Sequence, residues 1–174
     1  MKHREQGNVG SARARIKALQ KRLPEGEVGI YLVGRKFLRI EQQPEGNPTY
    51  VSNRQNMVTS FILPKRYGNL GYLAHNHLAG EFFTSVDVGD EVVVMPEHGD
   101  ILRYRITQKL EYRALDPRNP RSNFISLRDN RRCSAGDVFR EIYTGATHVV
   151  LQTCIAKDDL PEWGRLFVIG EPVE

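Results

Sequence analysis

Two β-branched, apolar runs set the architecture expected for this chain: HVVLQTCI at residues 148–155 and RLFVI at residues 165–169. Runs of this length and composition are typical of β-strands. The polar segment 156–164 between them contains turn-forming residues and is expected to be a loop. If the strands lie side by side, the thiol of Cys154 at the end of one strand meets the guanidinium of Arg165 at the start of the other. A thiolate is favoured beside a fixed positive charge, which also stabilises the oxyanion that forms when the thiolate attacks a carbonyl.

The expected pairing of Cys154 with Arg165 supports catalysis only if Cys154 is more than a buried apolar residue. Free cysteine is among the most buried residue types and usually packs as a small hydrophobe. A third segment, GYLAHNHLAG at residues 71–80, argues for chemistry because it is typical of a short apolar strand that ends in His75. Imidazole, thiol and guanidinium, three groups suited to catalysis, are then all expected at strand ends.

These features follow one another in a fixed order. The strand-end His75 comes first, then a GDEVVV segment at residues 89–94, LQTC at residues 151–154 and the strand led by Arg165. In this order and spacing they resemble the sortase family of cysteine transpeptidases, over roughly residues 70–170.

The resemblance implies a role for each of three residues. The Cys154 thiolate attacks a peptide carbonyl and forms a thioester, His75 protonates the leaving amine and later deprotonates the incoming one, and Arg165 stabilises the oxyanion. The implied substrate is a peptide or protein with a sorting signal. The implied acceptor is a cell-wall or pilin-type amine, or water in a proteolytic reaction, and no cofactor is implied. Ala74 stands where sortases usually have Gly, and Val150 where they often have Thr, so the branch is divergent and its peptide signal is open.

The remaining sequence also predicts a mostly-β fold. Short β-branched runs separated by turn residues recur from residue 28 onward, which is typical of a barrel. One helix interrupts them: Ser134 can cap it, Asp137 lies three residues on, and the pattern continues to Tyr143. The resemblance implies an eight-stranded sortase-like β-barrel with short helices, including this one inserted before the cysteine strand. It also implies that roughly residues 113–146 form one wall of a substrate groove.

The length of 174 residues fits one domain with a substantial core. We expect residues 25–174 to form a sortase-like catalytic domain and residues 1–24 to be a basic leader that includes a short helix from Ser11 to Leu23. The net charge is +4, but residues 1–23 contain seven Lys and Arg against one Glu, so the rest of the chain sums to −2. The basic excess belongs to the leader, and the domain gives no reason to expect nucleic acid as its partner.

The cysteine count and the hydropathy of the sequence bear on disulfides, zinc binding and membrane attachment. Cys133 and Cys154 form neither a disulfide framework nor a four-ligand zinc pattern, and Cys133 is expected to be a spectator. The sequence has no apolar run of about 18–20 residues, which a spanning helix needs, and no secretory signal core. Sortases are usually tethered to the outer face of a bacterial membrane. The resemblance therefore implies that location, with attachment through a segment absent from this sequence.

Two alternative functions stay open at this point. One is a catalytically silent sortase-fold module that binds a peptide. The other is a small metal-binding β-barrel with three ligands, His75, His77 and Cys154, because a His-x-His pair on a strand places both rings on one face. Without a metal, His77 is expected to be a rim or groove residue. For Arg165, the structural alternative is a surface ion pair with Asp158 or Asp159.

Overall fold

A computed structural model describes residues 23–174 of the chain. The basic leader expected over residues 1–24, with its helix, lies outside the described residues except for its last two positions. Within the described part, no helix is both long and apolar enough to cross a membrane.

Ten strands and three short helices make up the described residues. The strands are β1 (Glu27–Leu32), β2 (Lys36–Gln42), β3 (Met57–Ser60), β4 (Leu70–Leu73), β5 (Glu91–Pro96), β6 (Leu102–Ala114), β7 (Phe124–Ser126), β8 (Arg132–Cys133), β9 (Val149–Lys157) and β10 (Leu160–Pro172). The helices are α1 (Ile62–Lys65), α2 (Gly80–Ser85) and α3 (Ala135–Tyr143).

Eight of the strands close into a barrel. Their order is β10, β9, β4, β3, β2, β1, β5 and β6, and β6 pairs with β10 to complete the circle. The short strands β7 and β8 continue outward from β6. The predicted fold class is confirmed: the chain is a mostly-β, eight-stranded barrel with short helices, one of which precedes the cysteine strand.

Alternate residues of β9 and β10 face two separate apolar clusters. Val149 and Leu151 belong to the buried cluster inside the barrel, whereas Val150 belongs to a second cluster outside it, beneath α3. Successive side chains of a strand point to opposite faces. Cys154 therefore shares the outer face of β9 with Val150 and Gln152, on the side where α3 packs.

The inserted helix α3 starts as the sequence predicts. The Ser134 side chain accepts a hydrogen bond from the Asp137 N–H, and the Asp137 side chain accepts one from the Ser134 N–H. This reciprocal capping satisfies two amide donors that a helix start leaves unpaired. The cap fixes the N-terminal end of α3, whose buried side chains then pack in the second apolar cluster.

The prediction of a loop over residues 156–164, between the last two strands, is wrong. Residues 156 and 157 extend β9 and residues 160–164 belong to β10, so only Asp158 and Asp159 form the turn. Asp158 adopts a positive φ of 53°, which Asp tolerates better than most residues and which tight two-residue hairpins require. Backbone pairing continues through polar residues here because their side chains stay in solvent. The register is irregular between Leu160 and Gly164, where β10 contains extra residues.

Candidate active site

Three neighbouring strands gather the residues singled out from the sequence. Strand β9 lies between β10 and β4. Arg165 of β10 is directly opposite Cys154 in the antiparallel ladder. On the other flank β4 runs parallel to β9 with Leu73 opposite Gln152. β4 ends there, the Ala74 N–H still donates to the Gln152 oxygen (3.1 Å), and the chain continues into the loop of His75. Cys154 therefore lies on the strand between Arg165 and the strand that leads into the loop of His75.

The surroundings of Cys154 oppose its ionisation. Burial is the largest effect and raises the pKa of the Cys154 thiol, Arg165 lowers it, and Glu162 raises it again. The sequence-based expectation of a stabilised thiolate is therefore wrong for the free protein. The reason is that loss of hydration outweighs the single neighbouring cation. The resting group is a thiol.

His75 is held as a neutral imidazole. Burial lowers the pKa of His75 first, and the neighbouring His77 lowers it further, against a hydrogen bond to the Val51 backbone and the charge of Glu162, which raise it. The two imidazole rings stack with centroids 5.6 Å apart and planes 29° from parallel. Glu162 influences both His75 and Cys154, which places all three in one electrostatic neighbourhood.

Arg165 is anchored by backbone carbonyls and not by a carboxylate. It is only 9% exposed. Nη1 donates to the Glu162 oxygen (2.8 Å) and the Gly164 oxygen (3.0 Å), and Nη2 donates to the Pro117 oxygen (3.0 Å). A guanidinium has five N–H donors, so these contacts leave two for another acceptor. Among the described ion pairs none joins Arg165 to Asp158 or Asp159, and the surface ion-pair alternative is wrong.

No protein-family model matches the sequence, and no curated protein matches it. Solved structures do. Sortase C1 from Streptococcus suis is 15% identical with a TM-score of 0.55, covering 97% of this chain and 84% of that one. Listeria monocytogenes sortase A is 13% identical with a TM-score of 0.52, covering 86% and 89%. Sortase E1 from Streptomyces coelicolor, solved with a tripeptide in the active site, is 15% identical with a TM-score of 0.52, covering 86% and 88%.

This chain has the sortase fold. Structural matches at only 13–15% identity establish the fold and nothing further. The chemistry at Cys154 has to be argued from its own residues.

Two residues that the sequence pattern left without a role hold the histidine side of this sortase fold together. The Thr153 hydroxyl donates to the Ala74 oxygen (2.8 Å), immediately before His75. Gly80 packs against the same point: its N–H donates to the His75 oxygen (2.9 Å). A Cβ at Gly80 would overlap the Thr153 hydroxyl and lie 2.7 Å from the His75 oxygen. Both residues stand in the quoted segments, but nothing in a linear sequence shows that they touch.

The histidine loop is also tied to the β9–β10 hairpin. Asn76 donates from its side-chain nitrogen to the Pro161 oxygen (2.8 Å). The two neighbours of His75 in the chain are therefore both tied to the β9–β10 hairpin, Ala74 through Thr153 and Asn76 through Pro161. An imidazole presented from such a loop keeps its position relative to Cys154.

Two cavities lie near this site: Cys154 lines one, and its partner Arg165 lines the other. A cleft of about 730 Å³ on the histidine side is lined by Cys154, Asn76, His77 and Pro161 among others. A smaller pocket of about 140 Å³ on the other side is lined by Arg165, Gln152 and several aromatic rings, including Phe124 and Phe139. The pocket lies between α3 and β10, where the 113–146 segment was expected to form a wall. His77, expected as a rim or groove residue, lines the cleft.

The described residues do not form the ligand cluster that the metal-site alternative requires. Within residues 23–174, no group of three His, Cys, Asp or Glu side chains is arranged to hold a metal ion. His75, His77 and Cys154 are therefore not such a group, and the two imidazoles stack on each other instead.

Proposed function

We propose that this protein is a sortase-like cysteine transpeptidase that cleaves a peptide sorting signal through a thioester acyl-enzyme. The acyl group passes to an amine, or to water in a hydrolytic side reaction. The observation that carries the proposal is the placement of Cys154 between Arg165 and the loop of His75, on adjacent strands of a sortase fold. By the same proposal the protein works at the outer face of a bacterial membrane, with a cell-wall or pilin-type amine as acceptor.

In the first step, the Cys154 thiol transfers its proton to His75 and its sulfur attacks the peptide carbonyl carbon. The carbonyl oxygen takes the negative charge and accepts hydrogen bonds from the two remaining N–H groups of Arg165. Proton transfer from a thiol of raised pKa to an imidazole of lowered pKa is uphill. Arg165 offsets part of this cost because its charge favours both the thiolate and the oxyanion.

In the second step, the carbon–nitrogen bond breaks as the imidazolium of His75 protonates the leaving amine, which produces a thioester on Cys154. An incoming amine then attacks the thioester while neutral His75 removes its proton. The carbon–sulfur bond breaks, and the thiolate regains a proton from His75. The lowered pKa of His75 suits this half of the cycle, because the ring is a neutral base at neutral pH.

The test uses the whole chain and traps the acyl-enzyme. Wild-type protein is incubated with a pooled library of short peptides, first without and then with triglycine or hydroxylamine as amine acceptor, and its intact mass is measured. We expect peptide adducts on Cys154 that disappear when acceptor is added. Cys154→Ala abolishes adducts and turnover, and Cys133→Ala, the matched control, behaves like wild type. Turnover by Cys154→Ala, or dependence on Cys133, would contradict the assignment. Peptide binding without adducts would support the silent module.

A further inference from the structure

Gln152 stands beside the nucleophile in an unusual setting for an amide. It lies two residues before Cys154 on the same outer face of β9 and is partly exposed. Its side-chain oxygen Oε1 accepts a hydrogen bond from the Tyr143 hydroxyl at the end of α3. Tyr143 is itself only 3% exposed and packs edge-on against Phe61 and Phe167. A rigid aromatic residue therefore fixes which end of the amide points where.

The hydrogen bond from Tyr143 decides what Gln152 offers to a ligand. A primary amide has one oxygen acceptor and one nitrogen with two N–H donors. Because the Tyr143 hydroxyl orients the oxygen towards α3, the nitrogen end with its two N–H donors is left for another partner. Gln152 lines the same 140 Å³ pocket as Arg165, Phe124 and Phe139. The pocket is thus lined by two groups with N–H donors to offer, the Arg165 guanidinium and the Gln152 amide nitrogen, set among aromatic rings.

The geometry also indicates which part of a peptide enters this pocket. In the proposed mechanism Arg165, which lines the pocket, receives the scissile carbonyl, and the leaving amine faces His75, whose neighbour His77 lines the larger cleft. The residues before the scissile bond therefore occupy the pocket. Two residues of a strand span about 7 Å, so Gln152 meets an extended peptide about two residues before the bond.

We propose that Gln152 is a specificity-determining residue whose two N–H donors select a peptide with a side-chain oxygen about two residues before the scissile bond. The inference rests on the proposed function and names its substrate class: an acyl segment with Ser, Thr, Asn, Gln, Asp or Glu at that position. When the segment fills the aromatic pocket it excludes water, and an amide nitrogen without an acceptor then loses hydration without compensation. Peptides that lack the oxygen are disfavoured by about 10- to 100-fold.

The experiment measures kcat/KM for a positional-scanning library of internally quenched hexapeptides, varied at one position before the scissile bond at a time. The readout is the ratio between peptides with an oxygen-bearing side chain and those with Ala or Leu. In wild type we expect a ratio of about 10–100 at one position. Gln152→Met lowers it to near 1, Tyr143→Phe lowers it in part because the amide is no longer held, and Gln152→Glu shifts the preference to Lys and Arg. Gln55→Met, at an exposed glutamine elsewhere, leaves the ratio unchanged.

A parallel measurement separates this inference from the proposed function. Binding of the same peptides to a Cys154→Ala background is followed by fluorescence polarisation, with Gln152→Met added. Gln152-dependent selectivity in binding without wild-type turnover supports the inference and overturns the transpeptidase. Turnover whose ratio is unchanged in Gln152→Met overturns the inference alone. Equal slowing of every peptide in Gln152→Met also overturns the inference, since the amide would then bind the peptide main chain. If the peptides are neither bound nor turned over, both the inference and the proposed function are overturned.

Discussion

Arg165 matters through the shape of its guanidinium as much as through its charge. Three backbone carbonyls hold it, one of them 48 residues away in sequence at Pro117. These contacts orient the planar group while leaving donors for a substrate oxygen. A lysine ammonium is a compact charge on a flexible stem and cannot bridge the same carbonyls.

Arg165→Lys is therefore expected to keep the charge but lose turnover by about 10²–10³-fold, the usual cost of removing an oxyanion donor. Arg165→Ala is expected to be worse. The measurement is kcat/KM together with the melting temperature, which separates lost catalysis from a loosened Pro117 segment. Arg105→Lys is the matched control, because Arg105 is exposed and bonds Glu91 at the surface. Equal activity in Arg165→Lys and wild type would remove Arg165 from the mechanism.

The stacked histidines divide their roles. His75 is the proposed acid–base group, and its neighbour His77 lowers the pKa of His75. His75→Ala is expected to lose about 10²–10⁴-fold in turnover, the range of general acid–base catalysis. His77→Ala is expected to lose far less. It also removes a lowering influence on the pKa of His75, so the acid limb of the kcat/KM profile moves to higher pH. Equal large losses for both variants would contradict this division.

Among the larger elements, local patterns could be predicted and long-range contacts could not. The start of α3 follows from Ser134 and Asp137, three residues apart, because capping is local. The strand of Cys154 follows from its β-branched run. The bond from Arg165 to Pro117 has no sequence signature, since every residue carries a carbonyl oxygen. The thiol pKa was predicted in the wrong direction because burial depends on what packs around Cys154 from distant parts of the chain.

The turn after β4 gives a test of how the backbone presents His75. Gly80→Ala would push a Cβ into the Thr153 hydroxyl and against the His75 oxygen. The segment must shift, and a displacement of about 1 Å at a catalytic group can cost about 10²-fold in turnover. We expect that loss in kcat, with Cys154 alkylation by iodoacetamide continuing. Gly136→Ala in the first turn of α3 is the control, because its Cβ meets nothing closer than 3.7 Å. Wild-type turnover by Gly80→Ala would rule out this positioning role.

Across the whole barrel, a buried carboxylate joins several elements. Glu27 at the start of β1 is 2% exposed and pairs with Lys65 of α1 (2.8 Å). It also accepts hydrogen bonds from the Tyr72 hydroxyl (3.0 Å) and the Ser60 hydroxyl (3.4 Å). Sequence reasoning missed this network, because a glutamate at the start of a strand gives no sign of burial. Its charge acts on the tyrosines enclosed by the barrel.

Those enclosed tyrosines make the stability of the fold sensitive to alkaline pH. Burial raises the pKa of Tyr72 and Tyr104, that of Tyr104 to about 12, and the charge of Glu27 adds to both effects. Burial also raises the pKa of Tyr143 in the second cluster, outside the barrel. In the unfolded chain tyrosine ionises at a pKa of about 10. The stabilisation is therefore complete below pH 10 and is lost as pH rises towards the folded values. Each such tyrosine contributes a loss of about 1.4 kcal/mol per pH unit above that point.

We accordingly expect the free energy of unfolding to fall steeply between about pH 10 and pH 12, and these tyrosines to ionise only as the protein unfolds. Tyrosinate absorbance at 295 nm and circular dichroism, recorded on the same samples, check this. Tyr104→Phe removes one of the contributing groups and should make the dependence on pH shallower, whereas Tyr67→Phe should not, because Tyr67 is 46% exposed. If every tyrosine ionised near pH 10 while the circular dichroism stayed native, the aromatic interior described for this barrel would have to be open to water.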